Sequence, residues 1–379
     1  MFRNIFDPEV WSRVPFHFWS LVAFIFGSMV GSFLNVCIHR MPLRLSVVKP
    51  PSHCPHCKYS IPFYLNIPLF TWLFLRAKCK NCGAHISARY FLVELLTALL
   101  FLACWLTFGH QSVALAFIYA GFLAALIAST FIDIEHMIIP DEFTIGGMVV
   151  GLLCSVLVPA MHWTTSRSTA AWQSLLGMVA GAGIIYLVVR GGKLMFGRKR
   201  IVLPTDTRIT FTETSVHFED KAIPFEELFY RQSDVITLRA STLELVDRCY
   251  RDVEVRLSPA RLQIGDEVLN PENVPHMEAV STQITLPQEA MGLGDVKFMG
   301  AIGAFLGWKA VLFTLLGSSV IGTFGGLILL ILGRRGLVSL KMPYGPYLAM
   351  AAAVWVFWGT DLLALWNWWM MRGSAFGQY

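Results

Sequence analysis

Charge is scarce in this chain. Asp, Glu, Lys and Arg make up 15% of the 379 residues, where a soluble chain carries about 25%. That deficit excludes an ordinary soluble domain, and the 55% hydrophobic content shows what takes the place of charge. Acidic residues are missing altogether from Arg40–Arg89, which holds eight Lys or Arg. No small-residue cleavage site follows the first apolar run, and polar residues 1–16 precede it, so a cleaved signal peptide is not expected. No nucleotide-binding signature is present either.

What the chain has instead is a series of apolar runs, each near the roughly 20 residues that a helix needs to cross a bilayer. They are Trp19–Ile38, Phe91–Thr107, Val113–Ile132, Thr144–Met161, Leu175–Val189, Ala310–Leu332 and Tyr344–Trp366, with the shorter Val296–Gly307 as an eighth. Net charge is +5, but the basic residues are sorted by loop, which argues for lipid and against nucleic acid as the partner. Arg40–Arg89 is basic, Arg190–Arg200 adds five more Lys or Arg, and Arg334, Arg335 and Lys341 lie in another connection. The loops Phe108–Ser112 and His162–Trp172 contribute only Arg167. By the positive-inside rule the rich loops are cytoplasmic and the amino terminus is outside. Eight spans place every rich loop on one side; seven would put Arg334–Lys341 on the wrong side.

The expected fold is therefore mainly α, a polytopic membrane protein of about eight transmembrane helices with two cytoplasmic insertions. It divides into 1–39 (first span), 40–89 (four-cysteine loop), 90–200 (spans two to five), 201–288 (β-rich insert) and 289–379 (spans six to eight). The second insertion alternates apolar and polar residues with the period of half-buried strands. Ile209-x-Phe211 and Val216-x-Phe218, Ile236-x-Leu238 and Leu243-x-Leu245, and Val255-x-Leu257 and Leu262-x-Ile264 read as three hairpins, enough for a small sheet domain. Chance similarity between alternating strands explains the repetition equally simply. No residue of this insert has a catalytic pattern, and a partner-binding role and a passive spacer are both open.

Cys54-Pro-His-Cys57 and Cys79-Lys-Asn-Cys82, with 21 residues between the pairs, form two knuckles that together present four thiolates to one tetrahedral ion, as structural zinc sites do. Gly83 suits a backbone folding back around a metal. Two disulfides or a redox pair are the competing readings, disfavoured on the reducing side of the membrane. Four protein ligands leave no coordination position for water, so such a zinc would fold the loop rather than hydrolyse anything. Cys37, Cys104, Cys154 and Cys249 are unpaired by spacing.

Ionisable groups at the edge of a span are costly and are candidates for function. Asp133 ends the third span. Asp295, in Gly292-Leu-Gly294-Asp-Val-Lys297, opens the sixth. Both lie at the cytoplasmic edge although 162 positions apart. Two neighbouring carboxylates share a proton; one then acts as base on a water while its partner donates to a carbonyl. A helix cap or a pairing with Lys297 is the bland alternative for either alone. Glu94, in the second span, suits an ion pair or a substrate contact. Glu135, Asp141 and Glu142 read as solvated or capping residues, with Asp141-Glu-Phe-Thr144 capping the fourth span, and His136 as a surface residue.

Together these motifs resemble the bacterial type IV prepilin peptidases, membrane aspartyl proteases of the GxGD kind. The resemblance is carried by Gly31-Ser-Phe-Leu-Asn-Val-Cys-Ile-His-Arg40, Ser52-x-Cys54-Pro-x-Cys57, Asn66-Ile-Pro68, Cys79-x-x-Cys82-Gly, Ile86-Ser-x-Arg-Tyr90 with Glu94, Asp133 through Pro140-Asp141, Gly292-x-Gly-Asp295-x-Lys297 and Pro343-Tyr-Gly-Pro346. It covers about 290 of the 379 residues. It implies an enzyme of the bacterial inner membrane that removes the basic leader of prepilins and pseudopilins at the cytoplasmic face, after a glycine, with Asp133 and Asp295 catalytic. Glu94, Gly292, Gly294 and Lys297 are then candidate substrate contacts. Many members also methylate the new amino terminus with S-adenosylmethionine, which here rests on analogy alone. The insert is a departure, since the family usually reaches the GxGD motif by a short connection; substrate range is what it puts in doubt.

Two other classes were weighed against this. A proton-coupled transporter would need polar groups near the bilayer midplane and internal hydropathy repeats, and neither is evident. A non-catalytic pilus-assembly scaffold would make the chain dispensable for processing.

Overall fold

In lipid a backbone must satisfy its own hydrogen bonds, so each long apolar run becomes a helix. The computed structural model describes residues 16–204, 207–219, 221–229, 232, 234–287, 292–331 and 343–375. Its long helices are α1 Phe16–Arg40, α2 Ala88–Phe108, α3 Val113–His136, α4 Asp141–Leu157, α5 Arg167–Phe196, α6 Leu293–Ile331 and α7 Gly345–Ala375. Among the described residues, six are long and apolar enough to cross a membrane; α4, with 17 residues, is shorter. The chain is thus a multi-pass membrane protein. The basic turn Arg334–Lys341 lies outside the described residues.

Local chemistry sets the helix ends. Ser87 and Ser112 cap α2 and α3 by accepting from the backbone N–H of Arg89 and Leu115, satisfying donors that the helix leaves orphaned. Asp141 does not cap α4 as the sequence suggested. The cap position is Pro140, and Asp141 is the first helical residue, where its negative charge meets the positive end of the helix dipole.

Helix α6 is two arms. Gly307 leaves helical geometry at φ 79° and ψ 171°, a conformation that suits glycine. A Cβ on Gly303 would lie 3.0 Å from Val311 Cγ2, whereas eight residues along a straight helix span about 12 Å. The chain is therefore folded back sharply, and the short run ending at Gly307 is a separate helical segment. The bend frees backbone acceptors, and the Ser174 hydroxyl of α5 donates to the Ala304 carbonyl at 2.8 Å. The first arm packs against α5 at glycine: a Cβ on Gly177 would fall 2.1 Å from the Gly303 carbonyl oxygen, so no side chain fits there. The second arm packs on α7, with Gly325 against the Tyr347 ring.

A second compact unit, Tyr186–Gly292, is a ten-stranded antiparallel sheet. Its strands are β1 Arg198–Val202, β2 Arg208–Phe211, β3 Ser215–Phe218, β4 Lys221–Pro224, β5 Ile236–Leu245, β6 Cys249–Ser258, β7 Arg261–Ile264, β8 Glu267–Leu269, β9 Met277–Val280 and β10 Gln283–Pro287. The order is β4-β3-β2-β9-β5-β6-β7-β8, with β10 also pairing β5 and β1 pairing β10. Hairpins β2–β3 and β6–β7 join the expected segments, with Ile209 opposite Phe218 and Val255 opposite Ile264. The middle hairpin is a correction. Ile236–Leu238 and Leu243–Leu245 belong to one strand, β5, which hairpins with β6. Buried Ala240 keeps the alternation running, and no glycine, proline or asparagine interrupts Arg239–Thr242 to turn the chain. Ile209, Phe211, Ile236, Leu243, Leu262 and Ile284 are among the side chains of its core.

Candidate functional site

Asp133 sits in the last turn of α3, which ends at left-handed Met137, whose N–H donates to the Asp133 carbonyl at 2.9 Å. Its side chain is buried, 6% exposed, and Oδ2 accepts from the Gly345 N–H of α7 at 3.0 Å. Glycine is required there: a Cβ on residue 345 would stand 2.7 Å from Asp133 Oδ2 and 3.2 Å from Ile139 Cδ1. Ile139 also faces the other motif, 3.7 Å from where a Cβ of Gly294 would lie. Asp295 follows Gly294 in the first turn of α6 and is half-buried. Four remote stretches, around 133, 139, 294 and 345, thus converge. Lys297 donates to Asp141 Oδ1 at 2.7 Å, and Gly292 is exposed just before α6.

The cysteine loop folds as two similar knuckles. Cys54 N–H donates to the Tyr59 carbonyl and Cys79 N–H to that of Ala84, while the N–H of Lys58 and Gly83 return to the carbonyls of Cys54 and Cys79. Lys58 and Gly83, each four residues after the first cysteine of its pair, are left-handed at φ 59° and 71°. The four sulfurs lie within 4.8 Å of one another. Cys54–Cys82 and Cys57–Cys79 are 3.9 and 4.0 Å apart, where a tetrahedron of ~2.3 Å metal–sulfur bonds has edges of about 3.8 Å. A disulfide would need about 2.05 Å, so the spacing fits a metal set and not paired cystines. The Asn81 amide, donating to Cys57 Sγ at 3.5 Å, is the main cause that brings this thiol down to about 6. The N–H groups of Cys82 and Asn81 lower Cys79 as well. Both shifts favour the thiolate, which is the ligating form, whereas Cys82, although the Ala84 N–H lowers it, is pushed up to about 11 by burial and its neighbouring sulfurs.

Glu94 is directed to this loop. Its Oε2 accepts from the Leu69 N–H at 2.7 Å, which fastens the short helix Phe70–Phe74 to α2. With Asn35, Trp72 and Tyr90 it lines a cavity of about 710 Å³ that reaches Cys54 and Cys79. Two contacts around Asp133 were not read from the sequence. The Gly345 N–H, 212 positions from Asp133, had only the Pro343-Tyr-Gly-Pro346 motif as its signal. The ion pair of Arg89 with Glu135 joins two residues with no pattern in common.

Comparison with known proteins gives a consistent family. The Bacterial Peptidase A24 N-terminal domain matches residues 25–108, and the Type IV leader peptidase family matches 120–201 and 279–327. Together they cover more than half of the chain, and the second match is split around most of the β-rich unit. A Prepilin leader peptidase/N-methyltransferase of Aeromonas hydrophila is 29% identical over 378 residues, covering 93% of this chain and 95% of the relative. One of Myxococcus xanthus (strain DK1622) is 46% identical over 204 residues, 49% of this chain and 60% of the relative. The Type 4 prepilin-like proteins leader peptide-processing enzyme of Escherichia coli O78:H11 is 36% identical over 179 residues, 42% of this chain and 63% of the relative. No solved structure matches. With both family domains present in order and curated relatives aligned across nearly its whole length, the chain belongs to the type IV leader peptidase family.

Proposed function

We propose that this protein is a membrane aspartyl endopeptidase that removes the basic leader from type IV prepilins or pseudopilins, with Asp133 and Asp295 as its catalytic pair. The observation that carries the reading is the convergence of Asp133, Ile139, Gly294–Asp295 and Gly345 on one site. One carboxylate, ionised, takes a proton from a water as it attacks the scissile carbonyl carbon. The other, protonated, donates to the carbonyl oxygen. The tetrahedral intermediate collapses when the carboxyl that took the water's proton passes it to the amide nitrogen and the C–N bond breaks; as the C=O re-forms, the diol hydroxyl returns its proton to the other carboxylate, and the pair again shares one proton. The Gly345 N–H fixes the plane of the Asp133 carboxylate, and the apolar Ile139 limits water at the site.

Eight crossings follow if α4 and the two arms of α6 each span the membrane. The basic loops then place both aspartates at the cytoplasmic face of the inner membrane. The four cysteines hold a structural zinc, which supplies folding energy to the loop and takes no part in hydrolysis. The relatives' names include N-methyltransferase, which supports a second, methyl-transferring activity; the new amino terminus as its target and S-adenosylmethionine as its donor follow from the family resemblance. Glu94, fastened to Leu69, serves the loop rather than the substrate on this reading. Gly292 and Gly294 leave room for an extended substrate backbone beside Asp295.

Co-expression with candidate prepilins tests the reading, with the mature amino terminus read by mass spectrometry. Product cut between the leader and the apolar helix is expected, and full-length prepilin in every case would overturn the assignment.

A further inference from the structure

Each aspartate is followed, two positions on, by a charged residue tied to a different helix. Glu135 follows Asp133 and accepts from Arg89 at the start of α2. Lys297 follows Asp295 and donates to Asp141 at the start of α4, at 2.7 Å. Two helical positions correspond to about 200° of rotation, so aspartate and charged neighbour point to opposite sides of their helix. Terminal turns lack part of their backbone hydrogen bonding, so side-chain contacts weigh more there in fixing how the helix end is turned.

The partners are themselves anchored. Arg89 lies two residues after the Ser87 cap, to which its N–H donates, and its guanidinium lies over the Tyr90 ring at 5.2 Å. Among the described residues its Nε is buried without a hydrogen-bond partner, so the guanidinium is partly removed from water, and Glu135, which meets it at the terminal nitrogen Nη1, offsets part of that cost. Asp141 Oδ1 also accepts from the Thr144 hydroxyl at 3.3 Å. Beyond Asp133, on the far side of α3, the Gly345 N–H holds the carboxylate, so that turn is gripped from both sides.

We infer that the Arg89–Glu135 and Asp141–Lys297 ion pairs are rotational stops that set the two aspartates at the angle cleavage requires. Such half-exposed pairs contribute little to stability; their effect is geometric, because displacement of a reacting group by about 1 Å costs on the order of a hundredfold in rate. These four residues are positioning residues, and Lys297 is one of them rather than a substrate contact. The inference rests on the aspartyl peptidase reading.

The test uses the full chain in membranes, a purified prepilin as substrate, and rates normalised to the amount of inserted protein. R89E, E135R, D141K and K297D should each lower kcat about tenfold with KM within about twofold of the parent. The charge-swapped doubles R89E/E135R and D141K/K297D should regain most of that loss in kcat per inserted molecule. Full-rate single variants, doubles no better than their worse single, or a loss confined to KM would each overturn the inference. D133N and D295N run alongside: cleavage by both would refute the peptidase reading itself, whatever the swaps do.

Discussion

The two units of this chain treat polar groups in opposite ways. Among the described residues, every buried polar or charged side chain except Asp234 and Ser281 lies in the helical unit. In the sheet unit the one buried carboxylate, Asp234, meets Lys193 at 2.7 Å, and pairs such as Arg239–Asp252 lie out in solvent. The helical unit buries Arg40, Glu94 and Asp133 instead. Burying charge is costly unless it is bonded, and each of the three has backbone partners. Arg40 donates to the carbonyls of Ser46 and Pro50, Glu94 accepts from Leu69, and Asp133 accepts from Gly345. The first two bonds fasten the cysteine loop to α1 and α2. On the proposed reading Asp133 is different, because the group it shares its site with is the carboxylate of Asp295, and a pair that gains nothing from its own proximity has its explanation in chemistry.

That contrast can be broken at several points, beginning where the largest effect is expected. Gly345→Ala puts a methyl group 2.7 Å from Asp133 Oδ2, too close for the carboxylate to stay in place, so initial cleavage rates in membranes should fall on the order of a hundredfold with protein level unchanged. A full-rate variant would mean that Asp133 is not held by this backbone. Cys54→Ser combined with Cys79→Ser should take zinc from about one per chain to none and open the loop to limited proteolysis; a zinc-free wild type that resists the protease equally would remove the metal from the account.

Leu243→Ala, in the sheet core, should cost about 3 kcal/mol in denaturant unfolding of that unit. Cleavage per folded molecule should hold, and a large loss there would show that the sheet takes part in the reaction. Smallest of all, Asp252→Ala removes an exposed partner of Arg239 and should leave the melting curve of the sheet unit where it was.

The same contrast explains what could be read from the sequence. Apolar runs announced the long helices because lipid leaves the backbone no other choice, and the two knuckles were plain from C-x2-C spacing. The break at Gly307 was visible as the end of a short apolar run. In the sheet, β2–β3 and β6–β7 were legible because their pairing is local. The two halves of β5 were not told apart from a hairpin, since Arg239–Thr242 has the length of a turn but Ala240 keeps the strand period. The hold of Gly345 on Asp133 and of Arg89 on Glu135 was invisible for another reason. Both depend on helices far apart in the chain being packed side by side, and no periodicity records that.

The most direct test of the central claim is the amino terminus of a co-expressed prepilin in membranes containing Asp133→Asn or Asp295→Asn, read by mass spectrometry at matched enzyme level. Asparagine keeps the shape of each side chain but can neither take up nor share the catalytic proton. The account predicts that the leader stays on in both cases while the wild type removes it. Correctly trimmed pilin from both variants would contradict it.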